Sequence, residues 1–453
     1  MRFYGRRNEI EKIRSYYRLV KSGNSKMLVI TGRRRIGKTR LALESVKNIP
    51  YLYFFVRKKR IRELLSDWSE EIRRVFGNVF YGEFRSIEDF LNFLFDFSLK
   101  NPMVTIFDEF QNFFYSNPGE FSLFQKVFDL KKQDSKLLLI FCGSSYSLME
   151  KIFKNAKEPL FGRASEFIKL SYMTLSDQKE FLNDQGLFSG KDQLMLYSIF
   201  DGVPKYLEEL AEFSDRSIKT RLQKILQNQD WIWEEGENIL KEEFGKSYVS
   251  YFSVLSAIAK GRRILGEIEQ FSGINDAGAY LKNLEKVSGN CLIDRRLPVT
   301  SKSTKEKKGR YYIRDNFFDF WFKFIDNRRN LKEIGQVEKA VEEMFSDLDS
   351  FLGRKLEDMF IRRFIEENPF NIEFDRIGKY WKRKGDIDID AMVINDNKRE
   401  VYAFEVKLNP KKITQKVMNN LFEKVSVIPE LRGFTIKTGK VYILDKGLQI
   451  EIS

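Results

Sequence analysis

Met27-Leu28-Val29-Ile30-Thr31-Gly32-Arg33-Arg34-Arg35-Ile36-Gly37-Lys38-Thr39 decides the fold. An apolar run that reads as a buried strand leads into Gly-x-x-x-x-Gly-Lys-Thr, and a helical stretch follows over 40–46. The glycines let backbone N–H groups wrap a chain of phosphates, and the helix N-terminus adds its dipole. Lys38 is expected to reach the β- and γ-phosphates of ATP, and Thr39 to ligate Mg2+. The nucleotide cradle is expected to run from Gly32 to Arg40 and to include Arg33, Arg34 and Arg35, whose side chains can point outward.

Two further strand ends complete this chemistry. Residues 103–109 read Met-Val-Thr-Ile-Phe-Asp-Glu, an apolar strand closing on two carboxylates. Asp108 is expected to hold the water shell of the Mg2+, and Glu109 to orient and activate the attacking water. The adjacent glutamate argues for hydrolysis rather than phosphorylation of a small acceptor. The strand at 137–142 ends in Gly143-Ser144-Ser145. Either serine hydroxyl is placed to sense the γ-phosphate; a simple polar strand end is the alternative.

Working outward, apolar runs at 27–30, 51–56, 103–107, 137–142 and 166–170 alternate with amphipathic stretches such as 60–76 and 87–99. That alternation predicts a parallel, doubly covered sheet in residues 1–174. From 175 the pattern is helical, with Ser176 as the expected N-cap and a break at Asp201-Gly202-Val203-Pro204. Three short helical patterns then precede a hairpin with arms at 291–298 and 311–314, which predicts a winged helix over 241–325. A polar helical connection, 326–350, leads to an α/β segment, 351–453, with strands at 386–394, 401–407 and 440–444.

The 453 residues carry 79 Lys+Arg against 65 Asp+Glu, a formal charge of +14. A basic surplus favours polyanions, because neutralising phosphates releases counterions. DNA is the expected partner, and a well-solvated basic surface the alternative. Histidine is absent, which excludes Ser-His-Asp and Cys-His catalysis and His-metal sites. Hydrolysis must then run on carboxylates, lysine and a metal ion. Cys142 and Cys291 sit in apolar contexts and read as thiols in a reducing cytoplasm. No apolar run approaches the roughly 18 residues that span a bilayer, and the opening MRFYGRRNEIEK lacks a signal-peptide core. A cytoplasmic protein without membrane association is expected.

A second constellation lies near the C-terminus. Gly385-Asp386-Ile387-Asp388-Ile389-Asp390-Ala391 alternates with period two, so Asp386, Asp388 and Asp390 share a strand face. Glu405 and Lys407 share a face of the strand at 401–407. The polar turn 395–399 makes a hairpin cheap, and pairing is expected to converge Asp388, Glu405 and Lys407. Asp388 and Glu405 would hold Mg2+ or Mn2+. Lys407 would orient or deprotonate water and offset charge on a scissile phosphate. Glu357, in the helical stretch Leu356-Glu357-Asp358-Met359-Phe360, is placed to face the same pocket.

With these pieces in place, the chain resembles the archaeal ATPase family, a STAND-type branch of the AAA+-like P-loop ATPases, over essentially its whole length. Phe3-Tyr4-Gly5-Arg6-Arg7-Asn8-Glu9 is similar to that family's N-terminal box, which implies that Tyr4, Gly5 and Arg6 lie beside the adenine. Asp108-Glu109-Phe110-Gln111 and Cys142-Gly143-Ser144-Ser145 match its second and third motifs. Pro159-Leu160-Phe161-Gly162-Arg163 matches a segment whose arginine is a candidate finger on the γ-phosphate; a structural loop arginine is the alternative. Gly202-Val203-Pro204 resembles the Gly-x-Pro element of STAND ATPases, placing Pro204 among the nucleotide contacts. The resemblance implies a helical lid over 175–240, followed by the winged helix.

The C-terminal pattern resembles the PD-(D/E)XK nuclease superfamily. That resemblance implies Asp388 as the first metal carboxylate, Asp386 as its acidic neighbour, Glu405 and Lys407 as the E-x-K pair, and Glu357 as the helix glutamate. Asp390 falls where that family is commonly apolar. For nucleic acid, the helix near 276–286 sets Lys282 and Lys286 against Asp276 and Glu285, a poor base reader. The lysine-rich loop from Lys302 to Arg310, with Lys305, Lys307 and Lys308, is the better phosphate binder, unless the winged helix serves packing and the loop is a solvated charge run. Lys379-Tyr380-Trp381-Lys382-Arg383-Lys384 interleaves aromatic and basic side chains, as a backbone-tracking groove would.

The expected protein is therefore an α/β P-loop ATPase of AAA+/ASCE type with helical lid, winged helix and restriction-endonuclease-like C-terminal domain. It would couple Mg-ATP to DNA engagement and metal-dependent DNA cleavage. The alternative is a STAND-type regulatory switch whose C-terminal domain is inactive and recruits a protein partner or a second copy.

Overall fold

The computed structural model describes residues 2–452 apart from 78–81, 188, 287–291, 304–305, 307–308 and 383–386. Cys291, Lys305, Lys307, Lys308, Arg383, Lys384 and Asp386 thus lie outside the described residues. Two compact units divide the chain, one built on residues 2–172 and the other on 173–285 and 291–453.

In the first unit the expected apolar runs form strands β1 (Lys26–Thr31), β2 (Tyr51–Phe55), β3 (Met103–Asp108), β4 (Leu137–Gly143) and β5 (Glu166–Lys169). They pair in parallel in the order β2-β3-β4-β1-β5. β3 and β4 are buried at every position, as strands of a sheet covered on both faces must be. Thr31 is level with Gly143, and Phe107 with Phe141. The carboxyl ends of β1, β3 and β4 therefore finish on one edge, where ligands of open α/β sheets bind.

Phenylalanine supplies the packing beneath that edge. Phe110 and Phe141 have ring centroids 4.3 Å apart, and Phe107 meets Phe124 edge-on at 5.3 Å. Such pairs contribute about 0.5–1.5 kcal/mol each beyond their buried area. They fix the backbone on either side of Asp108 and Glu109.

The second unit begins with helices. The first, Leu175–Asp184, is capped by Thr174 rather than the expected Ser176. Thr174 Oγ1 accepts from Asp177 N at 3.1 Å while Asp177 Oδ2 accepts from Thr174 N at 3.2 Å. This reciprocal pair satisfies two backbone donors, which Ser176 could not do from inside the first turn. The break at 201–204 is present: Asp201 and Gly202 take positive φ, 49° and 70°, and Pro204 opens the helix Pro204–Ala211.

Helices Tyr248–Ala259, Leu265–Ser272 and Ala277–Lys286 precede an antiparallel hairpin, β6 (Ile293–Arg296) and β7 (Arg310–Ile313). Tyr311 N also donates to Arg263 O at 2.8 Å. The C-terminal sheet follows the helix Leu348–Glu367. It comprises β8 (Arg376–Trp381), β9 (Asp388–Asn395), β10 (Glu400–Val406), β11 (Thr435–Leu444) and β12 (Gly447–Ile452), with the helix Gln415–Ser426 between β10 and β11.

Its order is β12-β11-β10-β9-β8, with β10 and β11 parallel and every other pair antiparallel. Phe360 and Phe364 rest on Phe404, while Met418, Leu421 and Val425 pack with Val401 and Ala403. Successive strand residues face opposite sides, so the two helices cover opposite faces.

This sheet is welded to the helices that precede it. Arg362 reaches Asp201 Oδ1 at 2.8 Å and Met173 O at 2.6 Å. Lys355 reaches Asn316 Oδ1 at 2.8 Å and Asp319 at 2.7 Å. A Cβ on Gly190 would overlap Leu444 O and the backbone of Gly447. Among the described residues no helix is long and apolar enough to cross a membrane.

Candidate functional site

The loop between β1 and the helix Lys38–Ser45 is shaped by its two glycines. A Cβ on Gly32 would meet Leu170 O at 2.8 Å. Gly37 has φ +90°, a left-handed backbone that glycine adopts without strain. Lys38 is buried, and its Nζ donates to Gly32 O at 3.1 Å and Arg33 O at 3.0 Å. Burial pushes its pKa down, while Glu109, Cys142 and Asp108 pull it back. Of the three variable arginines, Arg34 is exposed and Arg35 half-buried, but Arg33 is buried at 3% exposure. Arg33 thus does not point outward into solvent.

Asp108 faces this loop from the end of β3. Its Oδ2 accepts from Thr39 Oγ1 at 2.6 Å and from Tyr53 OH at 2.9 Å, and its Oδ1 accepts from Glu109 N at 3.0 Å. Thr39 and Asp108 thus present two hard oxygens side by side at the mouth of the loop. This is the donor set that fits Mg2+, whose shell is completed by phosphates and water.

Glu109 takes φ +53°, and its Oε2 accepts from Ser144 Oγ at 2.6 Å and from Gln111 Nε2. Gln111 Nε2 also donates to Ser144 Oγ at 3.1 Å. Ser145 Oγ lies 3.4 Å from Ser147 Oγ. Tyr53 and Gln111 were not among the expected site residues. Gln111 stands in the quoted Asp-Glu-Phe-Gln motif, whereas nothing in the alternation of β2 singles out Tyr53.

At the same edge, Leu170 N donates to Thr31 O at 2.8 Å, and Arg6 donates to the neighbouring Ser171 O. Tyr4 is buried, and Gly5 and Arg6 have φ of 64° and 60°. The N-terminal box therefore lies beside the loop.

Arg163 does not. Ser165 N donates to Met27 O at 2.8 Å, placing this segment at the start of β1. The loop lies about five residues along the strand, roughly 16 Å away at about 3.3 Å per residue. Arg163 instead clasps Asp129 through Nε at 3.0 Å and an Nη at 2.8 Å. Pro204 belongs to the second unit.

The second constellation is also rearranged. β9 and β10 pair with Phe404 opposite Ala391, which brings Glu405 beside Asp390 rather than Asp388. Lys407 Nζ lies 2.6 Å from Glu405 Oε1 and 3.1 Å from Asp390 Oδ2, and Val406 N donates to Asp390 Oδ2 at 2.9 Å. Asp388 is exposed and pairs in register with Trp381 of β8. The carboxylate that joins Glu405 and Lys407 is thus Asp390, and Asp388 is corrected. Among the described residues no three Cys, Asp or Glu gather to hold a metal ion. Lys407 stands between the two acids and offsets part of their charge.

Glu357, on the helix Leu348–Glu367, is held by a different lysine. Its Oε2 accepts from Lys379 Nζ at 2.8 Å, and Lys379 also reaches Asp358 at 3.0 Å. Burial pushes Glu357 up to about 7 against the pull of Lys379, and the charge of Asp390 adds to the rise. Burial also acts upward on Asp358, but Arg296, 2.8 Å away, and Lys379 outweigh it and hold Asp358 well below its ordinary value. Lys379 and Trp381 are turned into the protein, with Arg310 over the Trp381 ring at 5.0 Å. They do not line an open groove.

The parallel sheet, the glycine-shaped loop with Lys38 and the Thr39–Asp108 contact define a P-loop ATPase. The chain belongs to a family of archaeal ATPases: the model of an ATPase domain predominantly from Archaea matches residues 3–210. A second model, of archaeal and bacterial proteins of unknown function, matches residues 321–419. An uncharacterized protein of Methanocaldococcus jannaschii is 33% identical over 429 residues, covering 92% of this chain and 91% of its own. Among solved structures, the Walker-type ATPase of Pyrococcus abyssi has a TM-score of 0.53 at 18% identity, over 71% of this chain and 96% of its own. That likeness is one of fold.

Proposed function

We propose that this ATPase hydrolyses Mg-ATP at the edge formed by β1, β3 and β4 and couples the nucleotide state to engagement of DNA. The observation that carries the reading is the Thr39–Asp108 hydrogen bond of 2.6 Å, set beside a glutamate tethered by Ser144. Thr39 and Asp108 would hold Mg2+, which supplies charge neutralisation on the phosphate oxygens when bound. Lys38 would exchange the carbonyls of Gly32 and Arg33 for β- and γ-phosphate oxygens. Glu109 would release Gln111 and Ser144 and take the proton side of the attacking water, leaving Ser144, rather than Ser145, to report the γ-phosphate. Tyr4, Gly5 and Arg6 would flank the adenine. Lys38→Ala tests this: nucleotide binding and Mg-dependent hydrolysis should both be lost, and retained hydrolysis would overturn the site.

In this reading 175–240 is a lid, 241–325 a winged helix and 351–453 a nuclease-like domain. The order helix, β8, β9, β10, helix, β11 supports that last resemblance, with Glu357, Asp390, Glu405 and Lys407 as its polar set. A specific observation favours a second reading, a regulatory switch with an inactive C-terminal domain. Lys407 already pairs with both Asp390 and Glu405 and offsets part of their charge. DNA cleavage dependent on Mn2+ and lost in Lys407→Ala would decide for the nuclease.

A further inference from the structure

Beyond the ends of β2 and β3 lies an open cavity of about 530 Å³, lined by Lys58, Lys59, Arg60, Ile61, Tyr115 and Ser116 among others. One wall is the start of the helix Ile61–Phe76, whose N-cap residue Arg60 makes no side-chain cap. The other wall closes the short helix Phe113–Ser116, where Tyr115 is 58% exposed. The cavity adjoins the nucleotide site through the backbone: Val56 N donates to Asp108 O at 2.9 Å, and Asn112 Nδ2 donates to Val56 O at 2.8 Å.

Its charges are not all spent. Lys59 is paired with Asp67 at 3.0 Å. Lys58 lies over the Tyr115 ring at 4.4 Å, and among the described residues neither Lys58 nor Arg60 is paired with a carboxylate. Both belong to Arg57-Lys58-Lys59-Arg60-Ile61-Arg62, where five of six residues are cationic. A cavity floored by lysine and arginine, with an exposed aromatic ring at its rim, matches the chemistry of a phosphate next to a planar base. Aromatic rings stack on any base, while cations track the backbone.

We infer that this cavity binds one nucleotide unit of a single-stranded nucleic acid, its two flanking phosphates on Lys58 and Arg60 and its base on Tyr115. The inference rests on the proposed engagement of nucleic acid and names where and in what strand state it occurs. A strand is favoured over a free nucleotide because the cations continue past the cavity to the exposed Arg57 and Arg62. A duplex would keep its bases stacked and unavailable to Tyr115.

Fluorescence anisotropy of a short fluorescein-labelled oligothymidylate with the full chain tests the site. Lys58→Ala/Arg60→Ala should weaken binding and flatten the log–log salt dependence by about 1.4, for two phosphates at about 0.7 each on a single strand. Tyr115→Ala should weaken binding about fivefold or more, while Tyr115→Phe, which keeps the ring, should bind as wild type. Thermal melts that match wild type separate these effects from misfolding. Wild-type binding that survives all three alanine changes overturns this site but leaves DNA engagement standing elsewhere. No binding by the wild-type chain overturns both. Thymidine monophosphate or polyglutamate displacing the oligonucleotide as well as unlabelled strand does would overturn the assignment to a strand.

Discussion

Tyr53→Phe isolates one hydrogen bond at the centre of the nucleotide site. The ring stays, and only the hydroxyl that donates to Asp108 Oδ2 at 2.9 Å is removed. Asp108 is buried at 3% exposure and accepts from Thr39, Tyr53 and its own neighbour's N–H. A hydrogen bond to a charged group nets about 1.5–3 kcal/mol. For a unit of this size about 1 kcal/mol moves the midpoint about 2–4 °C, so the loss should lower the melting temperature of the first unit by about 3–12 °C. Burial and the charge of Asp108 raise the Tyr53 pKa well above its ordinary value, so the hydroxyl stays protonated and the deficit should be the same at neutral and mildly alkaline pH. Turnover of ATP should fall as well, because Asp108 loses one of the groups that aim it. Differential scanning calorimetry without nucleotide, at both pH values, reads the first effect. A variant that melts with the wild type would refute the claim that Tyr53 anchors Asp108.

Two other outcomes follow from the C-terminal cluster. Folding raises Glu357 from its ordinary 4.5 to about 7, so the folded chain holds that proton more tightly than the unfolded one. The stabilisation is complete below the unfolded value and is lost as pH rises through about 7. Glu357→Gln should therefore flatten the fall in melting temperature between acid and mildly alkaline pH; an unchanged slope would show that Glu357 is not protonated there. If the domain binds Mn2+, calorimetry on the full chain should show that binding lost in Asp390→Asn and kept in Asp388→Asn. The reverse pattern would restore Asp388. The full chain is required, since Lys355, Arg362 and Gly190 show the C-terminal sheet packed into the helices before it.

Much of the nucleotide site was legible because its parts are local. The strand before Gly32, the acids after Phe107 and the glycine after Cys142 are each fixed within a few residues, and parallel register then brings them to one edge. The C-terminal site was legible only to its face. Alternation puts Asp388 and Asp390 on the same side, and a slip of two residues preserves the face. Only the turn after Asn395, with Arg399 at φ +52°, sets the register that selects Asp390. β8 was hidden because Lys379 reads as a solvated base in sequence, whereas Glu357 and Asp358 neutralise it inside the protein. The place of Arg163 depends on which end of β1 its loop reaches, and no local pattern records that.

Single-turnover hydrolysis by Glu109→Gln, with equilibrium binding of ATP measured on the same protein, tests whether Glu109 activates the attacking water. The substituted amide would keep the shape of the side chain but could not accept the proton of the attacking water. ATP binding should stay close to wild type and hydrolysis should slow by about a hundredfold or more, the usual contribution of a positioned base. Hydrolysis at the wild-type rate would contradict that role.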